Sequence, residues 1–285
     1  MSPRAIRKEA RAKVNVFLRV LRARDDGYHD LESLVLPISL SDRITVRAAA
    51  SLAVEVRGAE GLAAAVPKGG LNLALVAALA LAADCDADRG AAIEIEKRIP
   101  VAAGLGGGSA DAAAVLGALN ELWGCALDIE SLLEIASRIG SDVPALALGA
   151  PVLVRGRGER LEPVGVAPIW WAIVPFDFPT RSPDAFRWWD EDGGRTGPDP
   201  APLLDAASRG DAGELGWLLF NDLEGPVSRR HPEIASVKSR LIDAGALGVV
   251  MTGSGPTVAA LALDRGHARE LARGIPGAIV ASGGS

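Results

Sequence analysis

The sequence predicts a mixed fold, α/β or α+β, because strand-like and helix-like stretches alternate along the chain. Three observations carry this. Ala91-Ala-Ile-Glu-Ile-Glu-Lys97 alternates apolar and charged residues with the period of a half-buried strand. It leads into Gly104-Leu-Gly106-Gly107-Gly108, four glycines in five residues, and then an alanine-rich stretch of strong helix formers. Further on, Ile129, Leu132, Leu133, Ile135, Ala136 and Ile139 recur at helical spacing.

The elements follow in order. Lys13–Val20 and residues 34–56, including Arg43-Ile-Thr-Val-Arg47, read as strand-like runs, with a turn at Arg24-Asp-Asp-Gly27. A helix begins at Asn72, whose side chain is suited to capping it. Its apolar run ends at Ala83, well short of the ~20 residues of a membrane span. The strand at 91–97, the glycine loop with its helix, and a helix near 128–138 come next. Gly140-Ser-Asp142-Val-Pro144 reads locally as a helix stop, with Asp142 as a turn acceptor. After Gly149-Ala-Pro151 come short strands at 152–155 and 169–174, a Gly/Pro-rich surface loop at 192–202, and helices near 203–219 and 232–244. Strands at Ala246–Met251 and Thr257–Leu263 and a helix at 265–273 close the chain, with no internal repeat.

A chain of 285 residues holds one large or two ordinary domains and a sizeable core. The net charge of −6 argues against a general nucleic-acid binder. Cys85 and Cys125 read as lone cysteines without Cys-x-x-Cys spacing. With three histidines in all, this argues against a zinc site and for a reducing compartment. The basic N-terminus lacks the apolar run of a secretion signal, so a cytoplasmic protein is expected.

The glycine loop carries most of the functional signal. Glycine lets successive N–H groups point into one concavity, and a following helix adds its positive end, which together cradle a polyanion. No Lys-Ser or Lys-Thr pair follows the glycines, so this is not a Walker A loop. Ser109 stands where a dinucleotide fingerprint needs its third glycine. The protein-kinase signatures are absent as well. Lys13 and Asn15 lie two apart on a strand and share a face. In Asp26-Gly-Tyr28-His29-Asp30, the only tyrosine stands beside an imidazole, a pair suited to a flat base and equally to packing. The second glycine cluster, Met251-Thr-Gly253-Ser254-Gly255-Pro256-Thr257, reads as a tight turn or as a close approach of backbone to a ligand.

Pro100–Ala114 resembles the central phosphate motif of the galactokinase, homoserine kinase, mevalonate kinase and phosphomevalonate kinase superfamily. Lys13-Val-Asn15, Asp26–His29, Gly140–Pro144 and Met251–Thr257, in that order, look like the branch acting on a cytidine diphosphate-linked methylerythritol. The similarity runs from about residue 10 to about residue 263. It implies a two-domain α+β fold, with an N-terminal domain like the second domain of ribosomal protein S5 and a C-terminal ferredoxin-like domain. We place these domains at 1–155 and 156–285, with the ligands expected in the cleft between them. It also implies ATP-dependent phosphorylation of the 2-hydroxyl in non-mevalonate isoprenoid synthesis, by a monomer or weak homodimer.

Site residues follow from the same resemblance. Asp142 is expected to act as base and Lys13 as its electrostatic partner. ATP is expected on Pro100, Val101, Ala102, Ala103, Gly104, Leu105, Gly106, Gly107, Gly108, Ser109 and Ala110, with Asn72 and Lys97 near the adenosine and Mg²⁺ on Ser109. The other substrate is expected on Asn15, Tyr28, His29, Phe186, Gly253, Ser254 and Gly255. Thr180 and Ser182 compete for the short motif preceding Phe186, and Trp188 and Trp189 read as packing. A sister kinase for homoserine or mevalonate would not need Tyr28 and His29 as a base clamp. A silent nucleotide-binding regulator would dispense with Lys13 or Asp142. A serine hydrolase at Ser109 or Ser254 would need a paired histidine motif that is absent.

Overall fold

The computed structural model describes residues 5–59, 61–85 and 90–284. The chain divides into two compact units, and its path alternates between them. The first holds the chain up to Ala12, Leu40–Val101 and Gly106–Gly149; the second holds Lys13–Ser39, Ala102–Leu105 and the chain from Ala150. Strands β1 (Ala5–Ala23) and β2 (His29–Ala49) each contribute one part to each unit.

In the first unit, β4 (Gly90–Lys97) lies between the second half of β2 and β3 (Ala53–Gly58). It pairs antiparallel with β2 from Arg43↔Glu96 to Ala49↔Gly90 and parallel with β3 from Ala53↔Ala92 to Gly58↔Lys97. The strand-like stretch expected over 34–56 falls on two strands, because the chain must reverse between one antiparallel and one parallel neighbour. The alternation read from β4 holds: Ala91, Ile93, Ile95 and Lys97 are buried. The same period that buries the isoleucines carries the lysine inside.

The helices of this unit are α1 (Leu73–Asp84), α2 (Gly107–Trp123), α3 (Ile129–Ile139) and α4 (Val143–Leu148). Asn72 caps α1, its Oδ1 accepting from the N–H groups of Ala74 and Leu75, as its position predicts. Alanines on α1 (Ala74, Ala77, Ala78) and α2 (Ala110, Ala112, Ala113) are buried, and small side chains allow these packed helices to approach closely. Asp128 caps α3 by accepting from Ser131 N–H. Asp142 stands at the N-terminal boundary of α4 and makes no side-chain cap bond to that helix.

Cys85 follows α1, Cys125 follows the end of α2, and the two form a disulfide with Cα atoms 5.7 Å apart. This corrects the reading of two lone cysteines. A separation of 40 residues has no local signature, and only the packing of α1 on α2 brings the pair together. The cysteines therefore no longer argue for a reducing compartment. Among the described residues, no helix is long and apolar enough to cross a membrane.

The second unit contains β5 (Val152–Gly156), β6 (Arg160–Pro163), β7 (Ile169–Val174), β8 (Phe220–Asn221), β9 (Gly248–Met251), β10 (Val258–Ala262) and β11 (Ile279–Gly283). The order β6-β5-β2-β11-β7-β10-β9 is antiparallel throughout, so the alternative left open by the periodicity resolves to α+β. β1 pairs parallel with β8 at Phe17↔Phe220 and Leu18↔Asn221. Helices α5 (Ser182–Glu191), α6 (Ala201–Arg209), α7 (Ala212–Leu218), α8 (Glu224–Arg230), α9 (Pro232–Asp243) and α10 (Arg265–Arg273) complete it. Its core joins Val20, Ala172, Val174, Leu223, Ile234, Met251, Val258 and Leu271. The helix expected over 203–219 is two, broken at Gly210 (φ 70°), after which Asp211 caps α7 through Glu214 N–H.

Candidate active site

The glycine run does more than precede a helix. Gly106, left-handed at φ 70°, stands at the N-terminal boundary of α2, and Gly107, Gly108 and Ser109 form its first turn. No side chain caps this end, and the first N–H groups of a helix have no intrahelical partner. Gly108 is exposed, and a Cβ there would meet only Leu73 at 3.7 Å. Packing therefore does not demand glycine at 108. The Ser109 hydroxyl, half-buried beside it, has no hydrogen-bond partner among the described residues. Gly104 is required by its surroundings: φ is 76°, and a Cβ would stand 2.5 Å from Thr252 O and 2.8 Å from Gly255 O. Leu105 O accepts from Lys13 N–H at 3.0 Å, and Ala103 O from Thr257 N–H at 3.4 Å.

Three buried ionisable side chains brace both arms of this loop within the first unit. Lys97 Nζ donates to Asp42 at 2.5 Å and to Asp111 at 2.8 Å. The other oxygen of Asp42 accepts from the N–H groups of Arg98 (2.5 Å) and Ile99 (2.8 Å), just before Pro100. Asp111 lies in the second turn of α2, so Lys97 links the entering strand to the departing helix. Burial pushes the Asp111 carboxyl up to about 7; the Lys97 charge pulls it down and Asp42 adds to the rise. Asp111 Oδ1 is buried with no partner among the described residues. Lys97, expected near the adenosine, thus has its ammonium between the carboxyl groups of Asp42 and Asp111, 3.2 Å from where a Gly107 Cβ would stand.

In the second unit, Lys13 and Asn15 share a buried face, as their spacing predicts. Lys13 Nζ donates to Asn15 Oδ1 at 2.5 Å, and Asn15 Nδ2 donates to Ser33 Oγ at 2.7 Å. Thr252 Oγ1 accepts from Asn15 N–H at 2.8 Å. The second glycine cluster closes over this network. A Cβ on Gly253 (φ 58°) would be 2.8 Å from Lys13 Nζ, and one on Gly255 (φ 81°) 2.6 Å from Met251 Sδ. Asn221 Nδ2 holds the turn by donating to Met251 O (2.6 Å) and Gly253 O (2.8 Å).

A second group in this unit gathers around His29. Its ring stacks on Phe186 (centroids 4.9 Å apart, 21° between planes) and meets Trp189 edge-on at 5.8 Å. Tyr28 is exposed, with the Arg157 guanidinium 5.2 Å from its ring centroid. Ser182 begins α5, and its hydroxyl bonds that of Ser254 at 3.0 Å. Thr180 is buried, with its hydroxyl unpartnered among the described residues. Trp189 is buried and Trp188 packs beneath Arg230, so both tryptophans serve packing.

The structure thus gathers Lys13, Asn15 and Gly253 in one network and His29 with Phe186 in another. In the first unit it sets Lys97 against Gly107, while Leu73, next to Asn72, faces Gly108. Asn72 uses its side chain on Ala74, Leu75 and Pro67 O. Asp142 belongs to the first unit, at the start of α4, which packs against α2 and α3. Sequence reasoning missed Asp42, Asp111, Ser33, Asn221 and Asp190. The sequence marks Asp111 only as an acid inside an alanine run near a helix start, where the helix dipole also favours it, so its buried partners carried no local signal.

Comparison with known proteins shows the family of the chain. GHMP kinases N terminal domain matches residues 72–150, and GHMP kinases C terminal matches 203–279. The chain is 44% identical over 260 residues to a 4-diphosphocytidyl-2-C-methyl-D-erythritol kinase of Symbiobacterium thermophilum, covering 90% of each chain. It is 42% identical over 266 residues to that of Pelotomaculum thermopropionicum, covering 92% of this chain and 91% of the relative. A crystal structure of 4-(cytidine 5'-diphospho)-2C-methyl-D-erythritol kinase superposes with TM-score 0.82 at 36% identity, over 98% of this chain and 100% of that one. A homoserine kinase from Cytophaga hutchinsonii, at 21% identity and TM-score 0.73 over 99% and 95% of the two chains, shares the fold.

Proposed function

The chain belongs to the 4-diphosphocytidyl-2-C-methyl-D-erythritol kinases within the GHMP kinases, and on that premise we propose how its residues carry out the transfer. The reaction moves the γ-phosphoryl group of ATP to the 2-hydroxyl of 4-diphosphocytidyl-2-C-methyl-D-erythritol, in a cytoplasmic enzyme of isoprenoid synthesis. The observation that carries it is the uncapped start of α2 inside the glycine run, with Gly108 exposed and unconstrained by packing. Such an end gives backbone N–H groups and a positive dipole to a phosphate chain.

The hydroxyl oxygen attacks the γ-phosphorus while the bond to the bridging oxygen breaks and ADP leaves. Asp142 accepts the hydroxyl proton. Lys13 stabilises charge gathering on the attacking oxygen, and Asn15 Oδ1 holds its ammonium in place. The N–H groups of Gly104–Ser109 hold the β- and γ-phosphates, and positioning supplies most of the rate. Asn72 and Lys97 stand near the adenosine, Lys97 chiefly by bracing the loop. Tyr28, His29 and Phe186 hold the cytosine, and Gly253–Gly255 face the diphosphate.

The free Ser109 hydroxyl fits a magnesium ion, which takes few protein oxygens and keeps phosphate and water for the rest. When bound, the ion neutralises phosphate charge.

A panel of alcohols with radiolabelled ATP tests the reading. We expect transfer to the cytidine-linked substrate and little to mevalonate or homoserine; the reverse preference would reassign the enzyme to a sister class.

A further inference from the structure

We infer that Asp190 selects cytosine over uracil by fixing the tautomer of His29. The inference rests on the proposed cytidine-linked substrate and adds a residue that does not itself touch it. His29 Nε2 lies 3.1 Å and 3.2 Å from the two oxygens of Asp190. An ionised carboxylate only accepts, so the nitrogen facing it must carry the proton. In the neutral ring this leaves Nδ1 with a lone pair and no hydrogen. Nδ1 has no hydrogen-bond partner among the described residues.

The ring cannot easily turn to exchange its nitrogens. Phe186 covers one face, Trp189 stands against it edge-on, and the side chain is only 8% exposed. A nitrogen acceptor held in a fixed direction suits one pyrimidine. Cytosine presents a 4-amino donor where uracil presents a carbonyl acceptor. Cytosine completes the bond, whereas uracil sets two lone pairs against each other beside a nearly buried ring. Because an unmade bond in such a place costs more than a made one yields, discrimination should be large. Phe186 and Asp190 are four residues apart on α5, so one helix face supplies both the stacking ring and the carboxylate.

The experiment compares kcat/KM for the cytidine diphosphate-linked alcohol and its uridine counterpart in the wild type, Asp190→Ala and Asp190→Asn. We expect the wild type to prefer cytidine by about 100-fold or more. In Asp190→Ala that ratio should fall at least tenfold, through KM, with kcat on the cytidine substrate within about threefold, whereas Asp190→Asn, whose Oδ1 still accepts from Nε2–H, should keep most of it. A ratio unchanged within twofold in Asp190→Ala overturns the inference, since a residue serving stability alone would lower both substrates equally. Imidazole ¹⁵N shifts of the free enzyme give a reading independent of substrate. Protonated Nε2 and bare Nδ1 are expected in the neutral ring, with a mixture in Asp190→Ala; protonated Nδ1 in the wild type also overturns it. Should the wild type phosphorylate neither nucleoside-linked alcohol, the substrate reading falls and takes base selection with it. The ¹⁵N spectra would then still decide whether Asp190 sets the tautomer.

Discussion

Asp142→Asn removes the proposed proton acceptor while nearly preserving shape. We expect kcat to fall by about 10²–10⁴ with nucleotide affinity unchanged, measured by turnover and by fluorescent-nucleotide titration. Near-normal turnover would strip Asp142 of the role. Gly104→Ala tests the loop itself. Its φ of 76° and the Thr252 oxygen 2.5 Å from the new Cβ predict a loss of about 1–3 kcal/mol or more, readable as a lower unfolding temperature. Asp111 makes a pH prediction. Its carboxyl, raised to about 7, keeps its proton in the folded chain where the unfolded chain has lost it. Stability therefore falls as pH rises from about 4 to about 7 and levels off above, and Asp111→Asn should flatten that slope in urea unfolding. None of this could be read from Asp111 alone, because burial beside Lys97 and Asp42 is a tertiary fact. Asn15 differs: its place beside Lys13 followed from strand period alone, and the structure adds only the bond.

At the scale of elements, legibility tracked local chemistry. The β4 strand and α1 were readable because period, cap and composition agree within a dozen residues. The start of α2 was placed too late, since glycine is a poor helix former, whereas the left-handed turn at Gly106 puts Gly107 and Gly108 inside the helix. Strand β11 was missed because Ile279–Gly283 carries little alternation, and its pairing with β7 supplies the missing definition. Helix α5 hid behind Pro183 and two tryptophans, although proline in a first turn is a start signal. The cap of α1 invites a direct test. Asn72→Ala should cost about 1 kcal/mol, while Asn72→Asp keeps an acceptor for Ala74 and Leu75 and should cost far less by thermal unfolding. If Asn72→Asp raises KM for ATP at full stability, the side chain also serves the nucleotide.

For the whole molecule, the two-domain kinase fold was legible through its motifs, but the interleaving of the units was not, because contacts distant in sequence decide it. The disulfide belongs to this scale as well. Closing a loop of 40 residues stabilises by up to ~4 kcal/mol in the chain-entropy picture, so Cys85→Ser or a reductant should lower the unfolding temperature. The route of the backbone has a further consequence for anyone who divides the gene. A fragment ending at Gly149 would carry Leu31–Val35 without Val152–Gly156, and Phe17 and Leu18 without Phe220 and Asn221. Those bare apolar edges invite precipitation when the piece is made alone. Made together in one cell, the two halves should rescue each other's solubility, as torn pages read again only when rejoined.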